Sequence, residues 1–84
     1  MKRIKDSEGS APMNITGRNI RDARLAAKLT QKQLSDKLET QAVYVCRGSV
    51  SRIESGERIV TDFELQAIAD ILHISIESLF AQKG

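Results

Sequence analysis

Val45-Cys46-Arg47-Gly48-Ser49-Val50-Ser51-Arg52-Ile53-Glu54-Ser55-Gly56 decides how the rest of the chain is read. Val50, Ile53 and Glu54 fall at i, i+3 and i+4, the spacing of a stripe that a short helix buries. Arg47, Gly48, Ser51, Arg52 and Ser55 fall on the other side. That outer face is basic at two positions and small at the rest. A helix of this kind approaches a surface closely and offers two guanidinium forks, which suits the DNA major groove.

The same local pattern surrounds this helix and recurs along the chain. A polar residue follows an apolar one and precedes, four positions on, another: Ile15-Thr16…Ile20, Leu29-Thr30…Leu34, Val45-Cys46…Val50, Val60-Thr61…Leu65 and Ile74-Ser75…Leu79. This is the hydrophobic staple around a helix N-cap. Thr30 with Gln33 and Thr61 with Glu64 add capping boxes. Five short helices are therefore expected, over about 17–27, 31–40, 47–55, 62–72 and 76–81. Gly56 stops the third in the left-handed conformation, and His73 ends the fourth in the same way. Leu65, Ile68, Ala69 and Leu72 make the plainest apolar stripe. The only β-rich triplet, Val43-Tyr44-Val45, is too brief to compete. Residues 1–14 show no periodicity and read as a flexible arm, 15–81 as the folded domain, and 82–84 as a tail. Whether residues 1–12 are native or precede a natural start at Met13 is open.

Composition narrows the function. Eighty-four residues make one domain, near the size where a core only just outweighs chain entropy. No apolar run is long enough to span a membrane, and no signal-peptide pattern opens the chain. One cysteine excludes an internal disulfide, and with one histidine it cannot supply a four-ligand zinc site. No nucleophile, base and orienting group come together in the sequence, so neither catalysis nor a cofactor is expected. A reducing cytoplasm is the simplest setting. The net charge of +2 is mild, but it is unevenly spread. Residues 15–60 carry nine Lys/Arg against five acids, whereas 61–84 carry one Lys against four acids. The basic side thus belongs to the segment with the candidate reading helix. Taken alone, these charges fit a solvated surface equally well.

Taken in order, three runs resemble the Cro/CI-type (XRE) helix-turn-helix repressors. They are Arg21…Arg24…Leu29-Thr30-Gln31…Leu34-Ser35…Leu38, then Val50-Ser51-Arg52-Ile53-Glu54-Ser55-Gly56-Glu57-Arg58, then Leu65…Ile68-Ala69…Leu72-His73-Ile74-Ser75…Leu79-Phe80. The resemblance covers about residues 15 to 80. It implies an all-α, five-helix, lambda-repressor-like domain with helices two and three as the helix-turn-helix. It further implies that Thr30 and Gln31 open helix two against a DNA phosphate. Arg47, Gly48, Ser49 and Arg52 match the positions that meet base edges, and Ser51 and Arg58 lie near the sugar-phosphate wall. The implied partner is double-stranded DNA with a pseudo-palindromic site, bound by a homodimer and used for transcriptional repression. An antitoxin with a toxin partner, or an interaction module without DNA binding, would use the same domain.

Three positions depart from the family pattern. The turn between helices two and three is about five residues longer than the tight form. Lys28 stands where glycine is usual, and Cys46 replaces the Ser or Thr cap of the reading helix. Other residues carry two readings each. Arg24 and Glu54 both fall on core-facing stripes, so they are expected to pair in a partly buried bridge; the alternative is two snorkelling surface charges. Cys46 reads as a small half-buried cap or as a redox-sensitive thiol. Tyr44 reads as a cover for the core edge or as a phosphate contact. Lys2, Arg3 and Lys5 belong to the arm and could track a DNA groove. Ile76, Leu79 and Phe80 offer apolar area for a dimer surface on the last helix.

Overall fold

In the computed structural model, which describes residues 11–81, the five expected starts give α1 (Gly17–Ala26), α2 (Gln31–Thr40), α3 (Arg47–Ser55), α4 (Asp62–Leu72) and α5 (Ile76–Leu79). Lys2, Arg3 and Lys5 of the arm and the tail 82–84 lie outside the described residues. Among the described residues there is no strand. Both capping boxes are complete. Thr30 accepts from the Gln33 N–H at 3.0 Å while Gln33 accepts from the Thr30 N–H at 2.8 Å. Thr61 and Glu64 do the same at 3.2 and 3.0 Å. These reciprocal bonds satisfy donors that a helix start otherwise leaves to water.

The start of α1 departs from the sequence reading. Ile15 is 76% exposed, so no staple forms there. Thr16 already has helical dihedrals and makes no capping bond, and its buried hydroxyl has no hydrogen-bond partner among the described residues. Asn14 supplies the cap instead. Its Oδ1 accepts from the Gly17 N–H at 2.7 Å, and its Nδ2 donates to the carbonyls of Ile53 (2.9 Å) and Arg58 (2.8 Å). One amide therefore satisfies groups on two elements, which a hydroxyl with a single proton cannot do. The Met13 N–H adds a bond to the Gly56 carbonyl at 2.8 Å. Residues 13 and 14 are thus tied to the end of α3.

The four longer helices end alike. Lys28, Ala42, Gly56 and His73 all have positive φ (63°, 61°, 83° and 58°). The residue after each donates back to the helix: Leu29 to Arg24, Val43 to Leu38, Glu57 to Arg52 and Ile74 to Ala69. This is the Schellman arrangement, in which the left-handed residue lets the last carbonyls find partners. Only Gly56 adopts that conformation without a steric cost from its side chain. Lys28 forms the same cap as the glycine it replaces, and Ala42 begins the long turn at residues 41–46 with another.

Ile20, Leu34, Leu38, Val45, Val50, Ile53, Leu65, Ile68, Leu72 and Leu79 form one core. Helix α3 packs on α1 and α2, while α4 packs on α2, α1 and α5. Helix α5 stops at Leu79 rather than residue 81. Asn19 Nδ2 holds its end by donating to the carbonyls of Leu79 and Ala81, each at 2.8 Å. The exposed apolar area expected on this helix is smaller than its sequence suggests. Leu79 is 1% exposed and belongs to the core, and Ile76 is half-buried, which leaves Phe80 as the exposed apolar group there.

Two glycine substitutions are expected to move stability in opposite directions. A Cβ on Gly17 would overlap the Ile53 carbonyl oxygen and crowd Asn14. Gly17→Ala should therefore cost about 1–3 kcal/mol, as overpacking does. Ala42→Gly should instead gain about 0.5–1 kcal/mol by relieving the left-handed alanine. Urea unfolding of both variants beside the native chain checks the pair; equal signs would contradict the packing described.

Candidate nucleic-acid interface

Helix α3 has the two faces that its sequence dictates. Val50, Ile53 and Glu54 are buried, while Arg47, Gly48, Ser51, Arg52 and Ser55 are exposed and Ser49 is half-buried. The buried face carries a carboxylate, so its partners decide whether the helix can sit there at all. Arg24 Nε donates to Glu54 Oε2 at 2.6 Å and Arg24 Nη2 to Oε1 at 3.0 Å. Arg24 Nη1 reaches the Leu29 carbonyl at 2.7 Å, in the turn between α1 and α2. Gln31 Nε2 donates to Glu54 Oε1 at 3.1 Å. One carboxylate thus joins α1, α2 and α3 with a bidentate, charge-assisted pair at its centre.

Gln31 is therefore held by Glu54 at the first position of α2, half-buried. Thr30 Oγ1 takes the Gln33 N–H, so the N–H groups of Gln31 and Lys32 are the ones left at the helix mouth. Arg24, Leu29, Thr30, Gln31, Lys32 and Arg47 line an open concavity of about 560 Å³. This brings Arg47 of α3 beside the start of α2, where the helix dipole favours anions; Lys32 there is paired with Asp36 at 3.1 Å. Arg52 lies five residues farther along α3, about one and a half turns, with its Nη2 3.5 Å from Ser49 Oγ. Gly48 is exposed, and a Cβ there would meet nothing closer than Arg52 Nη1 at 3.7 Å. The fold itself does not require glycine at this point; a bare backbone only brings the helix nearer to whatever faces it.

Arg58 is placed differently from a free cation. It forms a bidentate pair with Glu64 at 2.9 and 3.0 Å and donates to the Ile59 carbonyl. The hydrogen bond to Arg58 holds the Glu64 carboxyl below the usual carboxylate range. Sequence reasoning had matched Glu64 only to its capping box, so this second role was missed.

Cys46 is exposed rather than half-buried, and its sulfur makes no capping bond to the helix backbone. Its thiol lies 3.5 Å from the Ser49 hydroxyl, which is the main cause of its lowered pKa. Tyr44 does not cover the core edge. It is 75% exposed because Val43 and Val45 on either side take the inward positions. Among the described residues no group of His, Cys, Asp and Glu is arranged to hold a metal ion, and no helix is long and apolar enough to cross a membrane.

The bridge gives a sharp test. Arg24→Met or Glu54→Leu alone strands a desolvated charge and should cost about 3–5 kcal/mol. The double variant should recover most of that loss. Additive losses in a double-mutant cycle, read by urea unfolding, would refute the coupling. Glu64 supplies the pH dependence. Its folded pKa is depressed, so its contribution is complete above the ordinary carboxylate pKa of about 4.3 and is lost as pH falls through the lower folded value. Glu64→Gln should therefore cost up to about 1 kcal/mol at pH 7, a modest figure because the pair is partly exposed. The two stability curves should converge in acid; a gap that stays constant down to the acid limit would exclude the titration.

Compared with known proteins, residues 20–79 match the helix-turn-helix family model HTH_3, which reaches from α1 to α5. Neither curated proteins nor solved structures gave a match. With its match spanning most of the chain, the protein belongs to the helix-turn-helix family of the Cro/CI (XRE) type, a family of DNA-binding regulators.

Proposed function

We propose that this chain is a sequence-specific transcriptional repressor of bacterial or phage origin, acting in the cytoplasm as a homodimer on a pseudo-palindromic operator. In this reading α3 enters the major groove. Arg47, Gly48, Ser49 and Arg52 meet base edges, and either arginine grips guanine O6 and N7 with two bonds. Thr30 and Gln31 set the start of α2 against a phosphate, while Ser51 and Arg58 border the sugar-phosphate wall. Two such helices related by a two-fold axis read half-sites about 34 Å apart.

The observation that carries the reading is the division of α3. Its inner face is fixed by the Glu54 bridge, and its outer face presents two exposed arginines on a backbone bared at Gly48. A helix held so firmly and left small and basic outside is suited to reading, since its donors are already positioned. Arg58 contributes through its place at the end of α3, with its charge shared with Glu64.

A second reading, an antitoxin whose main partner is a toxin protein, draws support from Phe63 and Ile59. They are 81% and 57% exposed, outside the α3 face. Large apolar groups left in water beyond what the fold needs suit a protein contact.

Selection of duplexes from a random DNA library, at two salt concentrations, tests the primary reading. The native chain should enrich a palindrome. The Arg47→Ala/Arg52→Ala double variant should bind weakly and without preference, losing roughly 1–3 kcal/mol of discrimination at each contacted base. Binding that fades with salt and enriches no motif in either protein would leave only phosphate attraction and overturn the proposal.

A further inference from the structure

Resting on that reading, we infer that Tyr44, in the long turn ahead of α3, donates its hydroxyl to a phosphate of the DNA strand bordering the groove that α3 enters. The turn is a built segment. Ala42 closes α2 with a left-handed cap, and the Val43 N–H donates to the Leu38 carbonyl at 3.0 Å. Val43 packs against the core and Val45 is 3% exposed. With both neighbours turned to the core, Tyr44 is left facing outward. Its hydroxyl forms no hydrogen bond with the described residues, and 75% of the residue is exposed. An aromatic group so fixed and so exposed contributes little to the core.

Its neighbours place it beside the reading face. Tyr44, Cys46 and Ser49 line one concavity of about 370 Å³, with Ser35 and Glu39 on the α2 wall. Ser49 also lies against Arg52, so Tyr44 flanks the exposed face of α3. Glu39 makes the concavity unsuitable for a free anion. A phosphate must therefore be carried there by a duplex already seated on α3. A neutral phenol contributes one directional donor to such a phosphate and no sequence information. The added length of the turn thereby widens the footprint on the backbone.

The test uses the full chain and the duplex recovered by selection, titrated by fluorescence anisotropy. Tyr44→Phe should bind roughly three- to tenfold more weakly, the loss of one hydrogen bond. The fold loss should be the same on a scrambled duplex. Its thermal midpoint should match that of the native chain, since the hydroxyl has no partner among the described residues. Duplexes carrying one methylphosphonate at successive positions then locate the contact. One position should weaken native binding by a similar factor without further weakening Tyr44→Phe, as expected when both changes remove the same bond. Native-strength binding by Tyr44→Phe, or additive losses at every methylphosphonate, overturns the contact. If Arg47→Ala/Arg52→Ala loses the motif in the same assay, the reading helix stands and Tyr44 alone fails. If that variant keeps the motif, the reading helix falls and the Tyr44 contact falls with it.

Discussion

The Glu54 carboxylate is the constraint around which this domain is arranged. It lies on the buried side of α3, where an unpaired charge would be driven out or neutralised. Three groups prevent that: the Arg24 guanidinium, bound through two bonds, the Gln31 amide, and the Leu29 carbonyl that takes the remaining face of Arg24. Each partner comes from a different segment. The orientation of α3 is therefore defined relative to the end of α1, the turn after it and the first residue of α2 together. An apolar stripe alone would let a nine-residue helix slide or rotate by a fraction of a turn at small cost. A bidentate pair is directional and tolerates neither movement.

This arrangement is chosen for geometry more than for stability. Burying two charges costs several kcal/mol before their attraction returns it, and a well-packed apolar pair often does as well. In a domain of this size, where net stability is small, such a device needs another use. Its position supplies one. The same network that fixes α3 also orients Gln31 at the mouth of α2, beside Arg47, so the two surfaces proposed to meet DNA are set by one carboxylate. The Asn14 amide does a similar service at the other end of α3, tying Ile53 and Arg58 to the start of α1. Gly17 is what lets the two backbones come close enough for those bonds.

Much of this was legible in the sequence where the signal was local and periodic. Apolar pairs spanning a polar cap marked all five starts, since the staple and the capping box depend on residues within one turn, although at α1 the staple itself does not form. Arg24 and Glu54 stood out because charges on core-facing positions require a reason. What could not be read depended on contacts between distant segments. Asn14 looked like part of an arm because nothing nearby indicates that its amide reaches residues 53 and 58. Ala42 gave no sign of a left-handed cap, for alanine rarely accepts that conformation; only the apolar Val43 behind it hinted at the motif. Arg58 offered a free cation by type, but Glu64, six residues on, takes its fork. Leu79 and Phe80 could not be sorted into core and surface until the bend after His73 was known.

The long turn shows how these limits bear on the interface. Its extra residues had two natural explanations, an added cover for the core or an added reach toward a ligand. Composition could not separate them, because tyrosine serves both uses with one apolar ring and one polar tip. For Tyr44 the first does not hold. With Val43 and Val45 both turned inward, the residue between them has no inward position left, and the core beneath is already closed by Leu34, Leu38 and Val50. A cover was not needed there. Tyr44, inside the longer turn, lines one concavity with Ser49 and Cys46 at the start of α3. The departure from the tight family form thus changes the surface next to α3 while leaving the packing of that helix to Glu54.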